Sequence, residues 1–397
     1  MKTLSLINRV KYSPALYSCY YHLGNFGVSI LKLFVRNCSR RIVFVSFGGR
    51  KYDDSPKAIY EEILKDSRFK TYELIWAFQN PDNFEIPRGR KIKTDTLKYF
   101  VTLLSARVWI TNSSVERGLN FKGRKTFYLN TWHGTPIKKM GADIVKGNNS
   151  FRGKGKGNLT DIMLAQGKYE ADIFSRVFSI SPDKFAIIGL PRNDELISGN
   201  NIVNIKKIKR SMSIPDSKIV ILYAPTFREY KKDNRRNCIM DPPLDIKKWK
   251  NLLGEKYIFL LRAHYEVVRI MNVHENSFVR DVSDYQNLNE LMLVSDILIS
   301  DYSSIFFDYS ILGRPMIPYC YDYDEYSKKR GMYFDIRKAL CCHINNEIEL
   351  INEIKHIDIE KRSAISRIFC DKYIESAGES AKLATNLIYE SIVKKKV

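Results

Sequence analysis

The chain has 397 residues, 44% hydrophobic and 27% charged, a balance that excludes wholesale disorder and a length that suits two domains of ordinary size. A formal net charge of +21, from 65 Lys and Arg against 44 Asp and Glu, calls for an anionic partner without naming it. Seven cysteines with no C-x-x-C pair argue against a disulfide framework or a local zinc site and read as reduced thiols.

The first 40 residues are broken by charges and hold no apolar run of the roughly 18 residues that a membrane span needs. No Asp or Glu precedes Asp53, whereas Lys2, Arg9, Lys11, Lys32, Arg36, Arg40 and Arg41 punctuate Tyr, Leu, Phe and Ile. An amphipathic segment on an anionic membrane surface fits this mixture; so does a basic helix packed on the first domain. RIVFVSFGG (41–49) reads as a strand entering a glycine turn, and Pro56 to Leu64 as a helix that Asp53 or Asp54 could cap, with Asp54 or Ser55 as the plainer cap. YELIWAF (72–78), ARVWITN (106–112) and KTFYLNTWHG (125–134) are further strand candidates. KGNNSFRGKGKGN (146–158) is a basic, glycine-rich loop, followed by a helix at Lys168–Phe178 and a short strand and turn at 185–194. The polar stretch 197–218 holds the expected domain boundary. A second alternating unit begins at KIVILYAPTFRE (218–229) and continues through strands at 257–264, 277–280 and 296–300. A helix at 303–313 and a strand at 314–320 follow, and the C-terminal stretch reads as helix that can cross back onto the first domain.

Strands separated by helix-length intervals predict parallel sheets covered by helices, in two units facing a central cleft. Ligands of such sheets sit beyond the carboxyl ends of the strands, and the candidate chemical residues cluster there. His133, in NTWHGTP beside Trp132, Gly134 and Thr135, is placed to take a proton from an attacking hydroxyl; a structural histidine is the plainer alternative. Arg262 and His264, closing an apolar strand, could hold a diphosphate. In SDYSS, Asp301, Ser303 and Ser304 stand where strand becomes helix, with hydroxyls and amides suited to a phosphate. Asp308 is a ribose or glycerol contact or the polar side of its helix. Arg192 and Arg228 are forked cations that fit phosphate oxygens or serve as surface charges. Lys146, Arg152, Lys154 and Lys156 would guide an anionic acceptor. No P-loop, no G-x-G-x-x-G and no H-E-x-x-H is present.

Taken together, NTWHGTPIKKMG (130–141), GLPRND (189–194), ILYAPTFRE (221–229), LLRAH (260–264) and SDILISDYSSIFFDYSILGRPMIPY (295–319) resemble the signatures of the CDP-glycerol glycerophosphotransferase family, the teichoic acid primase and polymerase group. The resemblance spans about 41–380. It implies the GT-B fold, two Rossmann-like domains, with a basic N-terminal segment at 1–40, an acceptor domain at 41–205, a CDP-donor domain at 206–380 and a C-terminal helix at 381–397. It implies transfer of glycerol phosphate from CDP-glycerol to a lipid-linked saccharide or a growing teichoic-acid-like or capsular polymer, with release of CMP, by a peripheral protein on the cytoplasmic side of the cell membrane. On this pattern His133 is the base, His264 the second functional histidine, and Ser303 and Ser304 lie beside the donor diphosphate. The chain departs from the family at Tyr265, where proline is common, and in ESAGESAKLATNL (375–387), which lacks the family's arginine. A diphosphate donor can carry Mg²⁺, but no acidic triad declares a protein site for it. CDP-ribitol or another polyol donor, and a nucleotide-sugar glycosyltransferase on the same scaffold, are the rival enzymes. Nucleic acid is the weaker rival, because no recognition motif or single basic stripe is visible.

Overall fold

The computed structural model describes residues 13–144, 159–226, 228, 243–263 and 277–394. They form two units. One takes the chain up to His133, then Gly141–Asp194 and Glu375 onward, and the other takes Gly134–Met140 and Glu195–Ile374.

In the first unit the elements run α1 (Pro14–Phe34), β1 (Cys38–Val45), α2 (Asp54–Lys65), β2 (Glu73–Phe78), β3 (Arg90–Lys93), α3 (Leu97–Ser105), β4 (Ala106–Thr111), β5 (Phe127–Asn130), β6 (Ile162–Ala165), α4 (Lys168–Phe178) and β7 (Phe185–Ile187). The strands pair in parallel in the order β3-β2-β1-β4-β5-β6-β7. Side chains alternate along each strand, and in central strands such as β2 and β4 both faces are covered, which is why those strands read as unbroken apolar runs. Ile42 and Phe44 of β1 pack with Ile59, Tyr60 and Ile63 of α2. Val43 and Val45 point the other way, into a cluster with Leu103 of α3 and Val28 of α1.

The second unit contains α5 (Asp194–Ser198, its first residue shared with the unit before), α6 (Ile202–Ser211), β8 (Ile219–Ala224), α7 (Ile246–Leu253), β9 (Tyr257–Leu261), β10 (Val279–Asp281), α8 (Leu288–Val294), β11 (Ile297–Ser300), α9 (Ile305–Ser310), β12 (Met316–Pro318), α10 (Tyr323–Arg330), α11 (Ile336–Ala339), α12 (Glu347–Lys355) and α13 (Ile359–Tyr373). Its parallel sheet has the order β10-β9-β8-β11-β12. Trp249 and Leu253 of α7 and Leu350, Ile351 and Ile354 of α12 bury one face.

The chain then returns to the first unit as α14 (Ser380–Lys394), whose Ala384, Ile388 and Ile392 join the cluster under α2. The Asp194 carboxylate accepts the backbone N–H groups of Ser380 and Ala381 at 3.0 and 2.7 Å, so it satisfies the N-terminus that opens this helix.

Two Rossmann-like parallel sheets are therefore present. Each sheet reverses its winding once, between β1 and β4 and between β8 and β11, and these are the points where doubly wound sheets bind ligands.

α1 is capped by Ser13, whose hydroxyl accepts the Leu16 N–H. It is bound to its unit through Val28 and through Tyr20, whose hydroxyl donates to the Arg117 carbonyl at 2.8 Å. Leu23, Phe26, Leu33 and Phe34 on its outer side are exposed by 66, 67, 81 and 80%, so both sides of this helix are apolar. Among the described residues no helix is long and apolar enough to cross a membrane.

Candidate functional site

In the first unit, β1 is followed by Ser46 and the chain turns sharply through Phe47, Gly48 and Gly49, all at positive φ. A Cβ on Gly49 would stand 2.7 Å from Thr94 Cγ2 and 3.0 Å from the Gln79 nitrogen, so only glycine fits. Asn112, just past β4, pins this turn by accepting the Phe47 N–H on Oδ1 at 2.7 Å. Its backbone carbonyl lies 2.6 Å from Nδ1 of His133. A carbonyl only accepts, so Nδ1 carries the proton and Nε2 of the neutral ring keeps its lone pair.

His133 reaches this position because β5 ends in a pinned turn. Asn130 Oδ1 accepts the Trp132 N–H, Thr131 N–H donates to the Thr111 carbonyl, and Trp132 adopts a left-handed φ of 48°. Such a conformation in a bulky residue is strained and must be held by its surroundings. The Trp132 ring stacks on His133 at 4.3 Å and meets Phe178 of α4 at 4.5 Å.

His133 is exposed by area, yet Trp132 and Phe47 crowd the imidazole itself. That desolvation is the largest influence and pushes its pKa below the ordinary 6.5. The Asn112 hydrogen bond and the Asp54 carboxylate pull it up, and Arg192 and Arg50 push it down.

Asp54 and Arg192 form an ion pair of 3.2 Å, exposed by only 8 and 10%. Of the cap candidates Asp53, Asp54 and Ser55, it is Asp53 that caps α2, its carboxylate accepting the Asp54 N–H. Asp54 itself has a φ of 65°. Sequence reasoning missed it as a member of this group, because nothing in KYDDSPKA announces a left-handed aspartate.

In the second unit, the winding reversal brings Thr226 beside Asp301. Asp301 Oδ1 accepts N–H groups from Thr226 and Tyr302 as well as the Thr226 hydroxyl. Its Oδ2 accepts from Arg228 at 2.8 Å, and the other edge of that guanidinium binds Asp322 in bidentate fashion at 2.6 and 2.8 Å. Tyr302 and Tyr326 flank the cation at 5.0 and 4.9 Å. Arg228 is exposed by 1% and Asp301 by 2%, so the two side chains engage each other inside the protein and Arg228 is not a surface charge.

Arg262 donates to the carbonyls of Val282 and Tyr285 at 3.2 and 2.8 Å, which fixes its fork against the loop after β10. Ser303 Oγ accepts the Ile305 N–H at 3.3 Å, while Ser304 begins α9 without a side-chain cap. Gly134 touches this turn so closely that a Cβ on it would stand 2.6 Å from Ser304 Oγ. Thr135 and Asp308 are buried. His264, Lys146, Arg152, Lys154 and Lys156 lie outside the described residues. Among the described residues no group of three or more His, Cys, Asp or Glu could hold a metal ion.

Comparison with known proteins agrees with this architecture. The family model described as CDP-Glycerol:Poly(glycerophosphate) glycerophosphotransferase matches residues 28–390. The chain is 36% identical over 351 residues to a teichoic acid glycerol-phosphate transferase of Staphylococcus aureus, covering 83% of this chain and 88% of that protein. It is 34% identical over 370 residues to a teichoic acid poly(glycerol phosphate) polymerase of Staphylococcus epidermidis, covering 89% of this chain but 51% of the relative. Among solved structures, a histidine-to-asparagine variant of the wall teichoic acid polymerase TagF soaked with CDPG superposes with a TM-score of 0.82. It is 31% identical and covers 94% of this chain and 95% of that one.

Proposed function

Because the chain belongs to the CDP-glycerol:poly(glycerophosphate) glycerophosphotransferase family, we propose that it transfers glycerol phosphate from CDP-glycerol to a hydroxyl of a growing polymer. The acceptor oxygen bonds to the phosphorus that bears glycerol, the bond from that phosphorus to the bridging oxygen breaks, and CMP leaves with the electron pair. His133 Nε2 receives the acceptor proton. The observation that carries this role is the hydrogen bond from Nδ1 to the Asn112 carbonyl, which leaves Nε2 as the basic nitrogen. The lowered pKa keeps the ring neutral near pH 7, as a base requires. Arg262, His264 and the serine turn at Ser303–Ser304 offset charge on the donor diphosphate, and Arg228 and Asp301 hold that turn from behind. The basic segment with Lys146, Arg152, Lys154 and Lys156 guides the anionic acceptor, a lipid-linked saccharide or a teichoic-acid-like or capsular polymer.

CMP release measured with CDP-glycerol, CDP-ribitol and a nucleotide sugar, each with a lipid-linked acceptor, tests the reaction. CMP formation with CDP-glycerol and chain extension is expected; nucleoside diphosphate release from the sugar donor alone would sink it.

The enzyme further works at an anionic membrane surface, with the outer side of α1 as its seat. Leu23, Phe26, Ile30, Leu33 and Phe34 are exposed there, and no acidic residue precedes Asp53 to repel the headgroups. Leu23→Glu with Phe26→Glu should release the protein from phosphatidylglycerol vesicles, and undiminished binding removes this seat.

A further inference from the structure

The turn after β1 presents two cations beside His133. Its backbone is clamped along its length. Ser46 Oγ donates to the Asp53 carbonyl at 2.8 Å and closes the loop, and the Gly48 N–H donates to Ser113 Oγ at 3.1 Å. The Gly48 carbonyl accepts from Arg117 at 3.2 Å, and the Gly49 carbonyl accepts the Gln79 N–H at 2.7 Å. Phe47 is held at a left-handed φ of 47°, a strain that persists only where the surroundings impose it, and its ring stands 5.7 Å from the His133 imidazole. Lys51 Nζ lies 5.5 Å from the centre of that same ring. Arg50 and Lys51 are both exposed, and neither forms an ion pair among the described residues. The other charges around the turn are engaged: Arg117 by Asp95 at 2.7 Å, Lys57 by Glu61 at 2.9 Å, Arg192 by Asp54 at 3.2 Å, and Asp53 by the Asp54 N–H. Two unpaired cations on a loop already rigid lose little freedom when an anion arrives.

We propose that this turn is the subsite for the last phosphodiester of a polymer acceptor. Lys51, with Arg50 beside it, holds the anion, and the Phe47 ring packs on the glycerol carbons between that anion and the hydroxyl that attacks at His133. The inference rests on glycerol phosphate transfer with His133 as the base. In a glycerol phosphate chain the terminal hydroxyl is joined to the nearest phosphorus through the glycerol carbons alone, a few bonds away. With a hydrogen bond of about 2.8 Å at each end, such a chain end fits a base and a cation set around one phenyl ring. An acceptor that carries no glycerol phosphate has no phosphodiester for Lys51 to hold. The turn therefore favours extension of an existing chain over the first addition.

The test uses the full-length protein with CDP-glycerol and lipid-linked saccharides carrying no, one or several glycerol phosphate units, and reads KM for acceptor and donor from CMP release. Lys51→Gln should raise KM for the acceptors with one or several units about 5-fold, the upper end for an exposed ion pair. Lys51→Glu should raise it further, Arg50→Gln should add to Lys51→Gln, and Lys51→Arg, which keeps the charge, should restore most of the loss. Added salt should narrow the gap between Lys51→Gln and the unaltered enzyme. KM for CDP-glycerol, and for the acceptor without units, should change by less than about 2-fold, the usual scatter of surface substitutions. The proposal is overturned if Lys51→Glu leaves KM for the extended acceptors unchanged, or if KM for CDP-glycerol rises as much. It is overturned too if the acceptor without units suffers equally, since the anion met by Lys51 would then belong to the lipid carrier. If the unaltered enzyme extends none of these acceptors, the transfer reading itself fails and takes the subsite with it; if it extends them and only the Lys51 effect is missing, the subsite alone is ruled out.

Discussion

The two sheets reverse their winding in the same way and wire that point differently. Between β1 and β4 the chain leaves a basic nitrogen open, on a ring held by one backbone carbonyl and two aromatic neighbours. Between β8 and β11 the charged groups consume one another. Asp301, Arg228 and Asp322 close into a buried knot that leaves hydroxyls and backbone at the surface of the turn. One reversal carries the ring proposed above as the base, the other a buried ion network beneath the turn proposed to face the donor diphosphate. The lesson is that a position marked by topology predicts where chemistry happens, while the wiring decides which residue performs it.

The contrast breaks most sharply at His133. His133→Ala should lower the rate of CMP release roughly 10²–10⁴-fold, the usual worth of a general base, with the urea midpoint nearly unchanged. A drop in CDP-glycerol affinity of similar size would move His133 from catalysis to binding. The same ring sets the pH response. With its pKa below 6.5, more than half of the rings are neutral at pH 6.5 and the unaltered enzyme should keep more than half of its kcat there, so a limb centred above 6.5 would contradict the assignment.

At the other reversal the large effect should fall on stability. Arg228→Met leaves two buried carboxylates without their cation and should cost about 3–5 kcal/mol in urea denaturation; a loss under about 1 kcal/mol would mean the knot is dispensable. Gly49→Ala, forced to φ 89° against Thr94 and the Gln79 backbone, should cost about 1–3 kcal/mol. The smallest effect is expected at the α2 cap, where Asp53→Ala should cost about 1 kcal/mol and show whether the start of α2 can loosen without disturbing the titration of His133.

Much of this was legible in the chain. Strands buried on both faces stood out as apolar runs, as at 72–78 and 106–112, and α4 matches its predicted span of Lys168–Phe178. His133 drew attention through its neighbours Trp132, Gly134 and Thr135 at a strand end, since a lone histidine there is a modest signal. What escaped had no local signature. β3 is the edge strand RKIK with only Ile92 buried, and β6 is four residues long behind the basic loop. The Arg228–Asp322 contact joins residues 94 apart, so each looked like an isolated charge. Asn112 acts on His133 through a carbonyl, a group every residue possesses. Asp54 looked like a cap because the start of a helix was the only feature near it.

One element of the first unit arrives after the whole of the second. α14 fills the cluster under α2, and Asp194 receives its opening N–H groups. During synthesis, residues 195–374 can therefore emerge and fold while part of the cluster under α2, with Ile59 and Ile63, still waits for Ile388 and Ile392. The growing polypeptide has an interval in which its earlier lobe still lacks its last helix, and that interval is when a chaperone or a protease would meet it.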